Sequence, residues 1–86
     1  MDNRTLARRL TSTAQTLEKD RASLFRVRAY RRAAETILGL EVPVARLLEE
    51  GGRRKLADLP GIGRGLSRTI EDLIRGVSTA TDATSA

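Results

Sequence analysis

The sequence predicts an all-α fold, a compact bundle of four to five short helices, and three observations carry that expectation. Apolar residues recur at steps of three and four, no stretch carries a hairpin-strand signal, and 86 residues leave room for one hydrophobic core. Hydrophobic residues make up 40% of the chain but aromatics only 2%, namely Phe25 and Tyr30. The core must therefore be built from Leu, Ile, Val and Ala, a mixture that suits small packed helices.

The first helix is expected from Asn3 to about Asp20, with Leu6, Leu10, Ala14 and Leu17 on one face and Asn3 as its N-cap. A second runs from Ser23 or Leu24 to Leu38, its apolar stripe formed by Val27, Tyr30, Ala34, Ile37 and Leu38, and Gly39 ends it. Arg28, Arg31, Arg32 and Glu35 fall on its other face. Pro43 suits a first helical position, so a short third helix starts there, buries Val44, Leu47 and Leu48, and stops at Gly51 and Gly52. Residues 53 to 59 add one or two turns that run into Pro60-Gly61-Ile62-Gly63, where helix cannot continue. It resumes at about Arg64 and runs to Arg75, with Leu66, Ile70, Leu73 and Val77 on one stripe. Arg64, Arg68 and Arg75 lie roughly opposite, within about 40° of one another. Gly76 is placed to end that helix. Residues 1–77 thus form one helical domain with a helix, turn and helix at 53–75, and 78–86, mostly Ser, Thr and Ala, form a flexible tail.

Composition excludes much chemistry. The chain has no Cys and no His, which removes disulfides, thiolate nucleophiles, zinc knuckles and the commonest general base. No apolar run approaches the ~20 residues that span a bilayer, and no signal-like block follows Met1, so no membrane partner and a cytoplasmic location are expected. The net charge is +5, and fourteen of the sixteen basic residues are Arg, with Lys only at 19 and 55. A high-GC genome also produces arginine dominance. The distribution says more: residues 1–32 carry +6, residues 33–52 carry −3 and residues 53–76 carry +3. Two basic segments flank an acidic one and can share one side of a compact fold.

The most informative stretch is Leu56-x-x-Leu59-Pro60-Gly61-Ile62-Gly63-x-x-Leu66-Ser67-x-x-Ile70. Gly61 and Gly63 permit positive φ and let another backbone approach, while Ile62 between them can plug into the core. The amides of residues 61 to 65 coincide with the unsatisfied first-turn donors and the positive dipole end of the next helix. Such a device can hold a phosphate and is indifferent to base identity. A tight corner between two helices, with no ligand, is the competing reading of Gly-x-Gly alone.

This stretch resembles the helix-hairpin-helix family of non-sequence-specific DNA-binding motifs. It matches in the proline, both glycines, the aliphatic residue between them, Leu59, Leu66 and the small Ser67. Over about residues 3 to 76 the chain also resembles the N-terminal eight-kilodalton domain of family X DNA polymerases, through Phe25-Arg26-Val27-Arg28-Ala29-Tyr30-Arg31-Arg32-Ala33-Ala34, an acidic helix and then Leu-Pro-Gly-Ile-Gly. That resemblance implies binding to the 5′-phosphate side of a gap, in DNA repair or maintenance. It puts the phosphate pocket on Arg26 and Tyr30 and the hairpin amides on Gly61, Ile62, Gly63, Arg64 and Gly65, with Arg68 on the basic face beside them. It also implies a monovalent cation, Na+ or K+, at the carbonyls of Ala57, Leu59 and Ile62, with no other cofactor required.

The departures matter as much. Many members of that family carry a lysine that forms a Schiff base with an abasic sugar; this chain has Thr69 there, and Gly65 at a second basic position. Neither can form an imine. Lys55, Lys19 and the N-terminal amine remain, and Lys55 has cationic neighbours but stands before the hairpin, so no enzymatic activity is expected. Glu49-Glu50 and Glu71-Asp72 are about 100° apart on a helix and converge on nothing. Arg68 with Asp72, and Glu71 with Arg75, are spaced to pair along the last helix. Tyr30 lies on an apolar stripe, which gives it a packing role beside any ligand role.

The expected function is binding of duplex, gapped or single-stranded DNA through its phosphates, near the nucleoid if the source is bacterial. The alternatives are a protein interaction module on the same scaffold and a weak abasic-site lyase. With no palm and only a polar tail after the hairpin, a free-standing relative of the polymerase domain is expected.

Overall fold

The computed structural model describes residues 1–76, and these form four α-helices with no strand. The expected stripe member Val77 and the tail 78–86 lie outside the described residues. Helices α1 (Asn3–Lys19) and α2 (Leu24–Leu38) pack on each other, as do α3 (Val44–Ala57) and α4 (Arg64–Arg75). One aliphatic core joins the two pairs. Leu6 and Leu10 of α1, Ile37 of α2, Val44 and Leu56 of α3 and Ile70 of α4 are its fully buried large side chains. Each such residue contributes about 1.5–3 kcal/mol by leaving water.

The termini of the helices revise several expectations. Asp2, not Asn3, caps α1: its carboxylate accepts the Thr5 N–H at 2.8 Å, and that backbone hydrogen bond lowers its pKa. Asn3 caps a different helix. Its Oδ1 accepts the Val44 N–H at 2.8 Å and its Nδ2 donates to the Val42 carbonyl at 2.9 Å, so the start of α1 closes the start of α3. Pro43 stands just before α3, as its N-cap and not its first helical residue. The break expected at Gly51-Gly52 is present as a kink inside α3, where Gly52 takes φ 69°. Leu38 was expected on the buried stripe of α2 but is exposed, because Ala33 takes the place in the core beside Ala34 and Ile37. Gly76 ends α4 in the left-handed conformation, φ 77°.

Tyr30 packs half-buried against the core, while Phe25 is 80% exposed. An aromatic ring so placed contributes little to folding.

Candidate nucleic-acid interface

The hairpin is built by short-range bonds and one anchor. After Asp58, the C-cap of α3, the Leu59 N–H donates to the Leu56 carbonyl at 3.0 Å and the Ile62 N–H to the Leu59 carbonyl at 3.1 Å. Ile62 is buried in the core, which pins the turn, and its N–H is spent on the Leu59 carbonyl, so the amide expected here to meet a phosphate is already bonded within the turn. Helix α2 secures the turn from outside. Thr36 Oγ1 donates to the Pro60 carbonyl at 2.8 Å, and the stem of Arg32 lies against Gly61.

The two glycines of the turn differ. Gly61 has φ 77°, the left-handed region, and a Cβ there would stand 2.6 Å from Arg32 Cδ. Gly63 has φ −99° in extended backbone, so the positive φ expected of both glycines is needed only at Gly61. A Cβ at Gly63 or Gly65 would meet nothing within 4 Å. Gly63 is the N-cap of α4 and has no side chain to satisfy the helix end. The Ser67 N–H is bonded to the Gly63 carbonyl at 2.9 Å, and the amides of Arg64, Gly65 and Leu66 precede it in the uncapped first turn. No acidic side chain stands in that turn, so the positive end of the helix dipole is left uncompensated.

Segments far apart in sequence meet beside this turn. A hollow of about 250 Å³ between α2 and α4 is lined by Arg26, Tyr30, Phe25 and Ala29 from one and by Gly65, Leu66 and Thr69 from the other. Its volume is several times the ~30 Å³ share of one water molecule, enough to admit a phosphate group. A second hollow, on the other side of Phe25, is bounded by Arg28, Arg32 and Gly61. Phe25 stands between them. Its position could have been found from sequence as a large aromatic off the Val27–Tyr30–Ala34–Ile37 stripe.

Arg64 and Arg68 of α4 are exposed and have no ion-pair partner among the described residues. The expected Arg68–Asp72 pair does not form. Arg75, placed with them on the basic face, is drawn aside by Glu71, which holds Arg75 Nε at 2.9 Å and Arg53 Nε of α3 at 3.0 Å. Thr69 Oγ1 donates to the Gly65 carbonyl at 3.2 Å, and Lys55 lines neither hollow, its stem lying near Gly51. Of the three carbonyls expected to hold a cation, those of Ala57, Leu59 and Ile62, the Leu59 oxygen already accepts the Ile62 N–H at 3.1 Å. Among the described residues no helix is long and apolar enough to cross a membrane, and no cluster of acidic side chains could hold a metal.

Compared with known protein families, residues 1–77 match the helix-hairpin-helix domain, and the chain belongs to that family. Such domains generally bind DNA without sequence specificity. No curated protein and no solved structure matches the chain.

Proposed function

We propose, from its membership of the helix-hairpin-helix family, that the chain binds DNA through backbone phosphates at gaps or 5′-phosphate ends, in a repair or maintenance setting within the cell. On this reading it is a relative of the family X polymerase domain that binds without catalysing. The observation that carries it is the meeting of Arg26 and Tyr30 with Gly65 and Thr69 beside the uncapped first turn of α4. Arg26 supplies charge to a phosphate, the Tyr30 hydroxyl a hydrogen bond, and the amides of Arg64 to Leu66 the dipole end of a helix. Phe25 adds an exposed ring on which an unpaired base at a gap can stack. Ala57, Leu59 and Ile62 would hold a monovalent cation whose charge adds to the pull on the same phosphate.

Catalysis needs an amine at the hollow, and Thr69 offers only a hydroxyl bonded to its own helix. Borohydride is therefore expected to trap little covalent adduct with an abasic 5′-sugar, and Thr69→Lys to raise trapping above the unmodified chain. Strong trapping that disappears in Lys55→Ala would overturn the non-catalytic reading. Binding is tested by titrating fluorescent duplex, gapped and 5′-phosphorylated gapped DNA at two salt concentrations. The expected log–log salt slope is roughly −3 to −5, with the phosphorylated gap bound most tightly. A flat slope, or no binding at low salt, would sink the DNA reading.

A further inference from the structure

The hairpin has a second concave side, away from α2. Between the end of α3 and the start of α4 lies a hollow of about 420 Å³ lined by Arg53, Arg54, Ala57, Asp58, Arg64 and Ser67. Three guanidiniums face one carboxylate. Arg53 is held on Glu71 at 3.0 Å, so much of its charge is balanced. Arg54 and Arg64 are exposed, come from different helices, and have no ion-pair partner among the described residues. Asp58 is also exposed and solvated, which weakens the two free cations without cancelling them. Two unpaired arginines from separate helices that line one open hollow suit a shared phosphate, whose oxygens guanidiniums can grip from two sides.

The first turn of α4 is the wall between this hollow and the one facing α2. Arg64 and Ser67 line the α3 side, Gly65 and Leu66 the α2 side. A strand held on the α2 side that continues past the hairpin crosses this wall where Gly63 and Gly65 present no side chain. We infer that Arg54 and Arg64 form a second phosphate site, which takes an internal phosphodiester of the strand whose neighbouring phosphate occupies the α2–α4 hollow. The inference rests on the DNA-binding reading and narrows it: the ligand is a continuing backbone and not a terminal phosphate alone.

Fluorescence anisotropy of the whole chain with two 5′-phosphorylated single-stranded oligonucleotides tests this, one with ordinary linkages and one with uncharged methylphosphonate linkages inside. The unmodified chain should bind the ordinary oligonucleotide about tenfold or more tightly than the methylphosphonate one. Arg54→Ala should lose about 3- to 10-fold on the ordinary oligonucleotide, with a salt slope shallower by about 1, and little on the other. Arg54→Lys should restore the slope. Because Arg54 is exposed, circular dichroism should show each variant folded. If Arg54→Ala keeps the affinity and slope of the unmodified chain, the second site is wrong and the DNA reading stands. If the unmodified chain binds neither oligonucleotide, both fall.

Discussion

Gly61 and Gly63 stand two residues apart in one turn, yet the fold demands glycine only at the first. Gly61 sits in the left-handed region beneath the Arg32 stem, next to a proline whose carbonyl is tied to Thr36. Gly63 lies in extended backbone with open space where a Cβ would go. The first half of the hairpin is closed by α2, and the second half is left bare at the end of a helix. Sequence motifs that look uniform can therefore divide into a part that builds the turn and a part kept free for something outside the chain.

The division is broken most directly at Gly61. Gly61→Ala imposes about 1–2 kcal/mol of left-handed backbone strain and makes the Arg32 stem move. In a domain this small that is a large share of total stability. Urea unfolding should show a lower midpoint, and DNA affinity should fall in proportion to the folded hairpin that is lost. An unchanged midpoint would mean that Gly61 is no more structural than Gly63.

Gly63→Asp sharpens the contrast because stability and binding should move in opposite directions. An Asp at this N-cap can accept the free first-turn amides and face the positive dipole end, which stabilises α4 by about 0.3–1 kcal/mol. The same carboxylate occupies the donors a phosphate needs and repels it. Affinity should fall about tenfold or more while the unfolding midpoint rises. A parallel fall in both would show that Gly63 serves the turn, as Gly61 does.

Much of this was legible in the sequence. The period of apolar residues located all four helices, and Leu-Pro-Gly-Ile-Gly located the hairpin and the buried Ile62. What escaped depended on contacts across long sequence separations. Asn3 does not cap the helix it begins, contrary to expectation, because Asp2 takes that place; the amide it caps belongs to Val44, forty-one positions on. The bond from Thr36 to Pro60 and the Arg32 stem over Gly61 could not be anticipated, since a helical wheel says which face a residue occupies and not which turn that face meets. Glu71 illustrates the same limit. Its i, i+4 partner Arg75 was predictable, whereas Arg53 reaches it from another helix.

The pole remote from the hairpin supplies a control of smaller size. Asn3→Ala removes the cap of α3 and the tie to Val42, at a cost of about 1 kcal/mol. Thermal unfolding should register the loss. DNA affinity measured well below the transition should stay within about twofold, because every group proposed to touch phosphate lies on α2, α4 or the end of α3. A larger drop would mean that the two ends of the molecule are coupled through the kink at Gly52.

The smallest expected effect comes from Glu71, and its sign is what carries information. Glu71 is half-buried and holds Arg53 and Arg75, both of which are more than half exposed, so solvent screening limits the stability of the pair of contacts to below about 1 kcal/mol. Glu71→Gln keeps the shape and removes the charge that restrains them. Arg53 already lines the α3–α4 hollow, so releasing it adds a free cation to those of Arg54 and Arg64. DNA affinity should rise about two- to threefold at low salt, and the salt slope should steepen by about 1, with a slightly lower unfolding midpoint. Weaker binding with an unchanged slope would give Glu71 the opposite role. It would then hold α3 and α4 at the angle that sets the hairpin amides, and the bare half of the turn would depend on that ion pair as much as the closed half depends on α2.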